Sequence, residues 1–131
     1  MPFYTLETMK KSLGEADSAI EMFSTMGEFM KIAFVVQADA VGPPLHDHPN
    51  EEQFNLVLEG EMHVILGDEE RVVGPGTIIH VPRNTPHRSR SVNGTAKFLL
   101  VKSPAGDGRM DADYQKAENA EQAERTFPKA K

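Results

Sequence analysis

Residues 42–60 read Gly42-Pro43-Pro44-Leu45-His46-Asp47-His48-Pro49-Asn50-Glu51-Glu52-Gln53-Phe54-Asn55-Leu56-Val57-Leu58-Glu59-Gly60. Breaks at Gly42-Pro43-Pro44 and at Pro49-Asn50 bracket Leu45–His48, a piece too short for a helix. Gln53–Leu58 then reads as a strand that stops at Gly60. The same rhythm continues downstream. Met62–Leu66 is followed by a Gly67-Asp68 hairpin turn into Arg71–Val73. Gly74-Pro75-Gly76 precedes Thr77–Val81, and Pro82 to Pro86 is a loop. His87–Ser91 and Lys97–Lys102 are strands with Asn93-Gly94 as a turn between them. Upstream, Phe29 to Gln37 is mostly apolar and β-rich, a buried strand. Short strands, closely spaced Gly/Pro turns and no intervening helices predict an all-β antiparallel sandwich or barrel with its core over about residues 20–102.

The ends are less patterned. A short helix near Thr5–Leu13 and a strand near Ala19–Ser24 fit the first 28 residues, where Gly14 and Gly27 interrupt any long helix. After Ser103-Pro104 the composition turns polar. Asp111 to Arg125 is rich in Ala, Glu, Gln and Lys, with Tyr114 nearly its only large apolar residue, and reads as a surface helix or a loose tail. The length, 131 residues, suits one domain over 1–131.

Charge and composition narrow the function. The formal net charge is −6, which argues against nucleic acid as a partner. Arg83, Arg88 and Arg90 flank His87; they can hold a small anion but make no nucleic-acid groove, and Arg88 and Arg90 read as a solvated strand face. The absence of cysteine excludes disulfides and thiolate metal sites, leaving imidazole, carboxylate and amide oxygen as ligands. Met1 to Lys11 holds no apolar signal core, and the longest apolar run, Ile32 to Val36, cannot span a bilayer. The expectation is a soluble cytoplasmic protein without a membrane partner.

The candidate chemistry lies in the histidines. His46 and His48 are two apart, so in a strand they share a face and can converge on one ion. The prolines on either side stiffen the pair. On the next strand Gln53, Asn55 and Val57 share one face, while Glu52, Phe54, Leu56 and Leu58 share the other; parity alone does not say which looks inward. His87 begins a later strand after a rigid loop and can close the set. A lone strand histidine is more often a hydrogen-bonded structural residue than a ligand, and this is the role assigned to His63 and His80, which have no partner at ligand spacing.

In that order, these blocks resemble the two motifs of the cupin superfamily. The first is Pro44-Leu45-His46-Asp47-His48-Pro49-Asn50-Glu51-Glu52-Gln53 with Leu56-Val57-Leu58-Glu59-Gly60-Glu61. The second is Gly74-Pro75-Gly76-Thr77, Val81-Pro82-Arg83-Asn84-Thr85-Pro86-His87, ending near Asn93-Gly94. The resemblance implies a double-stranded β-barrel of the jelly-roll type. It also implies one divalent metal ion (Fe, Mn, Zn, Ni or Cu) held by His46, His48, Gln53 and His87. The family's usual glutamate position is Gln53 when counted back from Gly60, whereas a forward count from His48 points to Glu52; the count through one continuous strand selects Gln53. Glutamine removes a negative charge and leaves the cation more electrophilic. The glycine usual before the histidines is displaced, with Ala40 and Gly42 nearby; Asn84 stands for a loop glycine, and Thr77 for a common aspartate.

Such a site leaves coordination positions open and suits a small oxygenated molecule chelated at the metal, with Asn55 available to orient a substrate oxygen. The implied activities are a dioxygenase, or an isomerase or lyase acting on a hydroxy-carbonyl compound such as a sugar acid. The alternative is a non-catalytic small-ligand-binding or storage cupin. The family's habit of edge pairing implies a homodimer, with the apolar Ile20–Phe29 segment as a contact.

Overall fold

The computed structural model describes residues 2–14, 17–38, 43–110 and 113–117, without the side chains of 10–14 and 17–19. The described residues form nine strands and no helix: β1 (Lys10–Gly14), β2 (Asp17–Met26), β3 (Lys31–Gln37), β4 (His46–Asp47), β5 (Glu52–Leu66), β6 (Glu69–Val73), β7 (Ile78–Val81), β8 (His87–Ser103) and β9 (Gln115–Lys116). They curl into one antiparallel sheet ordered β1-β2-β3-β8-β4-β9, with β5 beside β8 and carrying β6 and β7. No described helix is long and apolar enough to cross a membrane.

The long strands β5 and β8 are the spine. Each was expected as two strands with a turn between, at Gly60 and at Asn93-Gly94. Both run through instead, and the two interruptions face each other: Glu59 pairs with Lys97 and Glu61 with Val92. They are bulges, and they exchange the faces of the strands. Inward residues of β5 are Gln53, Asn55 and Val57 before Gly60, and Met62 and Val64 after it. In β8 they change likewise from His87 and Ser91 to Ala96, Phe98, Leu100 and Lys102. Gly60 lies at φ 79°, and a Cβ there would stand 2.3 Å from the carbonyl oxygen of Thr95, so only glycine fits. Asn93 (φ 60°) and Gly94 (φ 123°) supply the opposing corner.

The inward face is an alternating apolar set. Ala33 and Val35 of β3, Val57, Met62 and Val64 of β5, Ile79 and Val81 of β7 and Phe98 and Leu100 of β8 form the core. Each larger side chain stabilises the fold by roughly 1.5–3 kcal/mol on burial. The Gly67-Asp68 hairpin forms as expected, with Leu66 opposite Glu69. Asn84 adopts φ 60°, the left-handed conformation that lets asparagine take a glycine's place.

Two expectations need correction. Thr5–Leu13 is not a helix: Thr8 N and Met9 N donate to Thr5 O in a single turn, and the chain then pairs as β1 with β2. Nine residues make a marginal helix, and pairing gives β1 and the facing side of β2 backbone partners instead. β1 lies along β2 from Asp17 to Ser24, so that stretch of β2 has a neighbour on each side, β1 and β3. Arg88 and Arg90 are not a solvated face; they are 0% and 4% exposed. They lie opposite Ile65 and His63 on the face turned away from His87, where Leu45, Ile65 and Ala117 pack together. Burial first, and Arg90 beside it, lower the Arg88 pKa to about 10, against an opposing pull from Tyr114. The helix or tail expected over Asp111 to Arg125 falls largely outside the described residues; within them, 113–117 holds the short strand β9.

Candidate metal centre

His46 of β4 is paired directly with His87 at the start of β8, and His48 follows β4 on the inward side. The rings meet in a compact triangle. Centroids are 4.9 Å apart for His46 and His48, 4.4 Å for His46 and His87, and 4.9 Å for His48 and His87. All three are buried, and one nitrogen from each lies within 4.8 Å of the others. Three nitrogens on one ion, each about 2.1 Å from it, stand roughly 3.0–3.6 Å apart. Convergence from a triangle of at most 4.8 Å therefore needs each nitrogen to move inward by up to about an ångström.

Backbone carbonyls set the tautomer of every ring. Nδ1 of His46 faces Pro44 O at 2.7 Å, Nδ1 of His87 faces Thr85 O at 2.9 Å, and Nδ1 of His48 faces Asp113 O at 2.6 Å. A carbonyl only accepts, so Nδ1 carries the proton and Nε2 keeps the lone pair that a metal needs. The electrostatics agree. Burial first, with His87 next, lowers the His46 pKa to about 3. Burial and then Lys102 lower His48 to about 4, against the Asp113 carbonyl. Burial also lowers His87, opposed by the Thr85 carbonyl and aided by Lys102. Near neutral pH the three rings are uncharged, the form in which imidazole ligates.

Gln53 and Glu52 take opposite faces. Gln53 is buried and lies opposite Val81 and Lys102 on the inward side. Its Nε2 donates to Asn55 Oδ1 at 3.0 Å, and its Oε1 is buried with no hydrogen-bond partner. A buried amide oxygen left over in this way suits a cation. Glu52 turns outward to His80 Nε2 at 2.8 Å, and His80 stacks on Phe54 with centroids 4.5 Å apart. His63 lies outside the triangle, 3.0 Å from Glu70. Both histidines read as structural therefore have carboxylate partners.

Sequence reasoning missed a buried charge cluster beside the triangle. Lys31 Nζ is 2.6 Å from Glu51 Oε2, and Lys102 Nζ is 3.7 Å from Glu51 Oε1; all three side chains are at most 6% exposed. Lys31 pairs with Lys102, and Lys102 with Gln53, so the three share the inward face. A signal existed: Lys31 and Lys102 each continue the inward parity of an apolar strand, Ala33 and Val35 in one case, Phe98 and Leu100 in the other. The second omission is the segment 113–117. Asn50 donates to the Asp113 carboxylate from both its backbone and its side chain, Tyr114 stacks on His46 at 4.8 Å and 24°, and Gln115 and Lys116 pair with β4. Nothing in its polar composition announced this beyond the isolated Tyr114.

No curated protein sequence matches the chain. Among solved structures, KdgF from Halomonas sp. superposes with a TM-score of 0.69 at 22% identity, covering 79% of this chain and 94% of that one. The nucleoside dehydratase Pac13, from Streptomyces, gives 0.69 at 16% identity, covering 89% and 91%. The iron(II) form of HppE gives 0.65 at 19% identity, covering 78% and 60%. At these identities the likeness is one of fold. Residues 33–102, more than half of the chain, match the Cupin domain family. With both motifs standing on the strands that bring the three histidines together, the chain belongs to the cupin family.

Proposed function

We propose that the protein is a metal-dependent enzyme acting on a small oxygenated organic molecule, with His46, His48, Gln53 and His87 as the ligands of one divalent ion. The observation that carries this reading is the donor set itself: three neutral imidazoles with Nε2 left over, and a buried Gln53 Oε1 without a partner. A bound divalent metal would supply Lewis-acid polarisation of a carbonyl or enolate oxygen, and a redox metal would add oxygen chemistry. The chain's own residues set the rest. None of the four ligands brings a negative charge, and the Lys102 ammonium lies on the same face as Gln53. With Glu51 between them, Lys31 and Lys102 leave one net positive charge beside the site, which favours a ligand with anionic oxygens, such as a hydroxy-carbonyl acid, over a cationic one. Asn55 uses its Oδ1 to orient Gln53 and keeps its amide hydrogens for a substrate oxygen. His46, His48, Gln53 and His87 are each at most 8% exposed, and such burial strengthens each of these interactions.

The similar structures, a nucleoside dehydratase and iron(II) HppE among them, place different chemistries on this fold, so the reaction follows from the pocket and the metal. The test is turnover of a panel of sugar acids and other hydroxy-carbonyl acids by protein loaded in turn with Fe, Mn, Zn, Ni and Cu. We expect turnover that depends on one metal and is lost when the metal is chelated. Tight, metal-dependent binding without turnover under any of the five would instead establish a binding or storage protein.

A further inference from the structure

We propose that the segment 113–117 is a clasp that completes the metal centre from outside the barrel motifs, with Asp113 and Tyr114 as positioning residues for His48 and His46. The inference rests on the metal reading above. His46 and His87 take their Nδ1 acceptors from two residues away, Pro44 and Thr85, so their local turns orient them. His48 has no such local acceptor; its Nδ1 bond goes to Asp113 O, sixty-five residues along the chain. The carbonyl that selects the ligating tautomer of His48 is therefore present only while this segment is docked.

Three further contacts hold the segment in place. The Asp113 carboxylate accepts from Asn50 N and Asn50 Nδ2, which fixes its carbonyl against His48. The Tyr114 ring covers the His46 ring at 4.8 Å. Backbone pairing of Lys116 with His46 and of Gln115 with Asp47, together with the bond from Ala117 N to Leu45 O, occupies one side of β4. On its other side, β4 has the single pairing of His46 with His87, followed by the bond from Asn84 N to His48 O. A two-residue strand held at so few points depends on its second neighbour for a fixed position. Outer partners of this kind typically govern metal affinity by about 10–100-fold.

The experiment uses the full chain and Co²⁺ as the probe, with affinity read by competition against a chelator and geometry by the visible absorption of the bound ion. We expect Asp113→Ala to weaken Co²⁺ binding by about 10–100-fold and to alter the visible bands. Asn50→Ala should produce a part of the same loss, and the double variant should be no worse than Asp113→Ala alone, because both act through one clasp. Tyr114→Ala should weaken binding and Tyr114→Phe, which keeps the stacked ring, should restore it. Thermal unfolding of the metal-free variants separates this from simple loss of fold: the barrel transition should remain. Wild-type affinity and spectrum in Asp113→Ala, or additive losses in the double variant, would overturn the clasp while leaving the metal centre standing. A wild-type chain that takes up no Co²⁺ would overturn the metal reading, and the clasp with it.

Discussion

Gln53 shows how much hangs on one side chain. Its neighbour Glu52 is the better ligand by charge, and the forward spacing from His48 points to it. Alternation puts Gln53 inward, with Oε1 unpartnered, and sends Glu52 out to His80. Gln53→Ala should accordingly cut metal content or affinity by at least about 10-fold, in the range seen for disturbed metal shells. Glu52→Ala should leave both at the wild-type level, and Gln53→Glu should keep the metal. Metal analysis of the three purified variants checks this, and the reverse pattern for Glu52 and Gln53 would put the register off by one residue. The inward position of Gln53 was legible only through the cupin motif's spacing to Gly60, which runs along one strand, because parity alone leaves the inward face open. The buried ions Lys31, Glu51 and Lys102 were not, because a lysine at a strand end is ordinarily a solvated residue, and only the pairing of β3, β8 and β5 brings these together.

At the scale of the element, Gly60 and Asn93-Gly94 carry turn chemistry but do not end their strands. Both offer positive φ, which serves a bulge as well as a hairpin, and the sequence alone does not distinguish them. Strand existence, face parity and the Gly67-Asp68 hairpin were legible from local pattern; continuity through the bulges depended on β5 and β8 pairing with each other across distant sequence. Gly60→Ala should lose roughly 2–5 kcal/mol of stability, combining about 1–2 kcal/mol of left-handed strain with about 1–3 kcal/mol for the clash on Thr95. Gly76→Ala is the control: it has positive φ but no neighbour within 4 Å of the added carbon, so it should lose the strain part alone. Urea denaturation of both variants makes the comparison, and equal losses would mean that the Thr95 contact does not restrict position 60. Strand β1 and the segment 113–117 escaped sequence reading for a related reason, since their structure is set by edge pairing rather than by their own periodicity.

For the whole molecule, the buried histidines tie stability to pH. His46 at about 3 and His48 at about 4 lie below the ordinary value of 6.5. Above that value the rings are neutral in both folded and unfolded chains, and the full stability is present. As pH falls below 6.5 the unfolded chain takes up protons that the folded chain refuses, so stability drops, and the drop continues until the folded rings also protonate near 3–4. Denaturation of the metal-free protein from pH 7.5 to about 4.5 should show this steady loss; constant stability across that range would contradict the burial of neutral rings. The central claim is that the barrel brings His46, His48 and His87, with Gln53, onto a single ion. Its most direct test is elemental analysis of the untagged protein after reconstitution with a divalent metal, set beside His46→Ala prepared in the same way. The account expects about one ion per wild-type chain and a sharp loss in the variant; a wild-type chain without metal, or a His46→Ala chain that keeps its full complement, would contradict it.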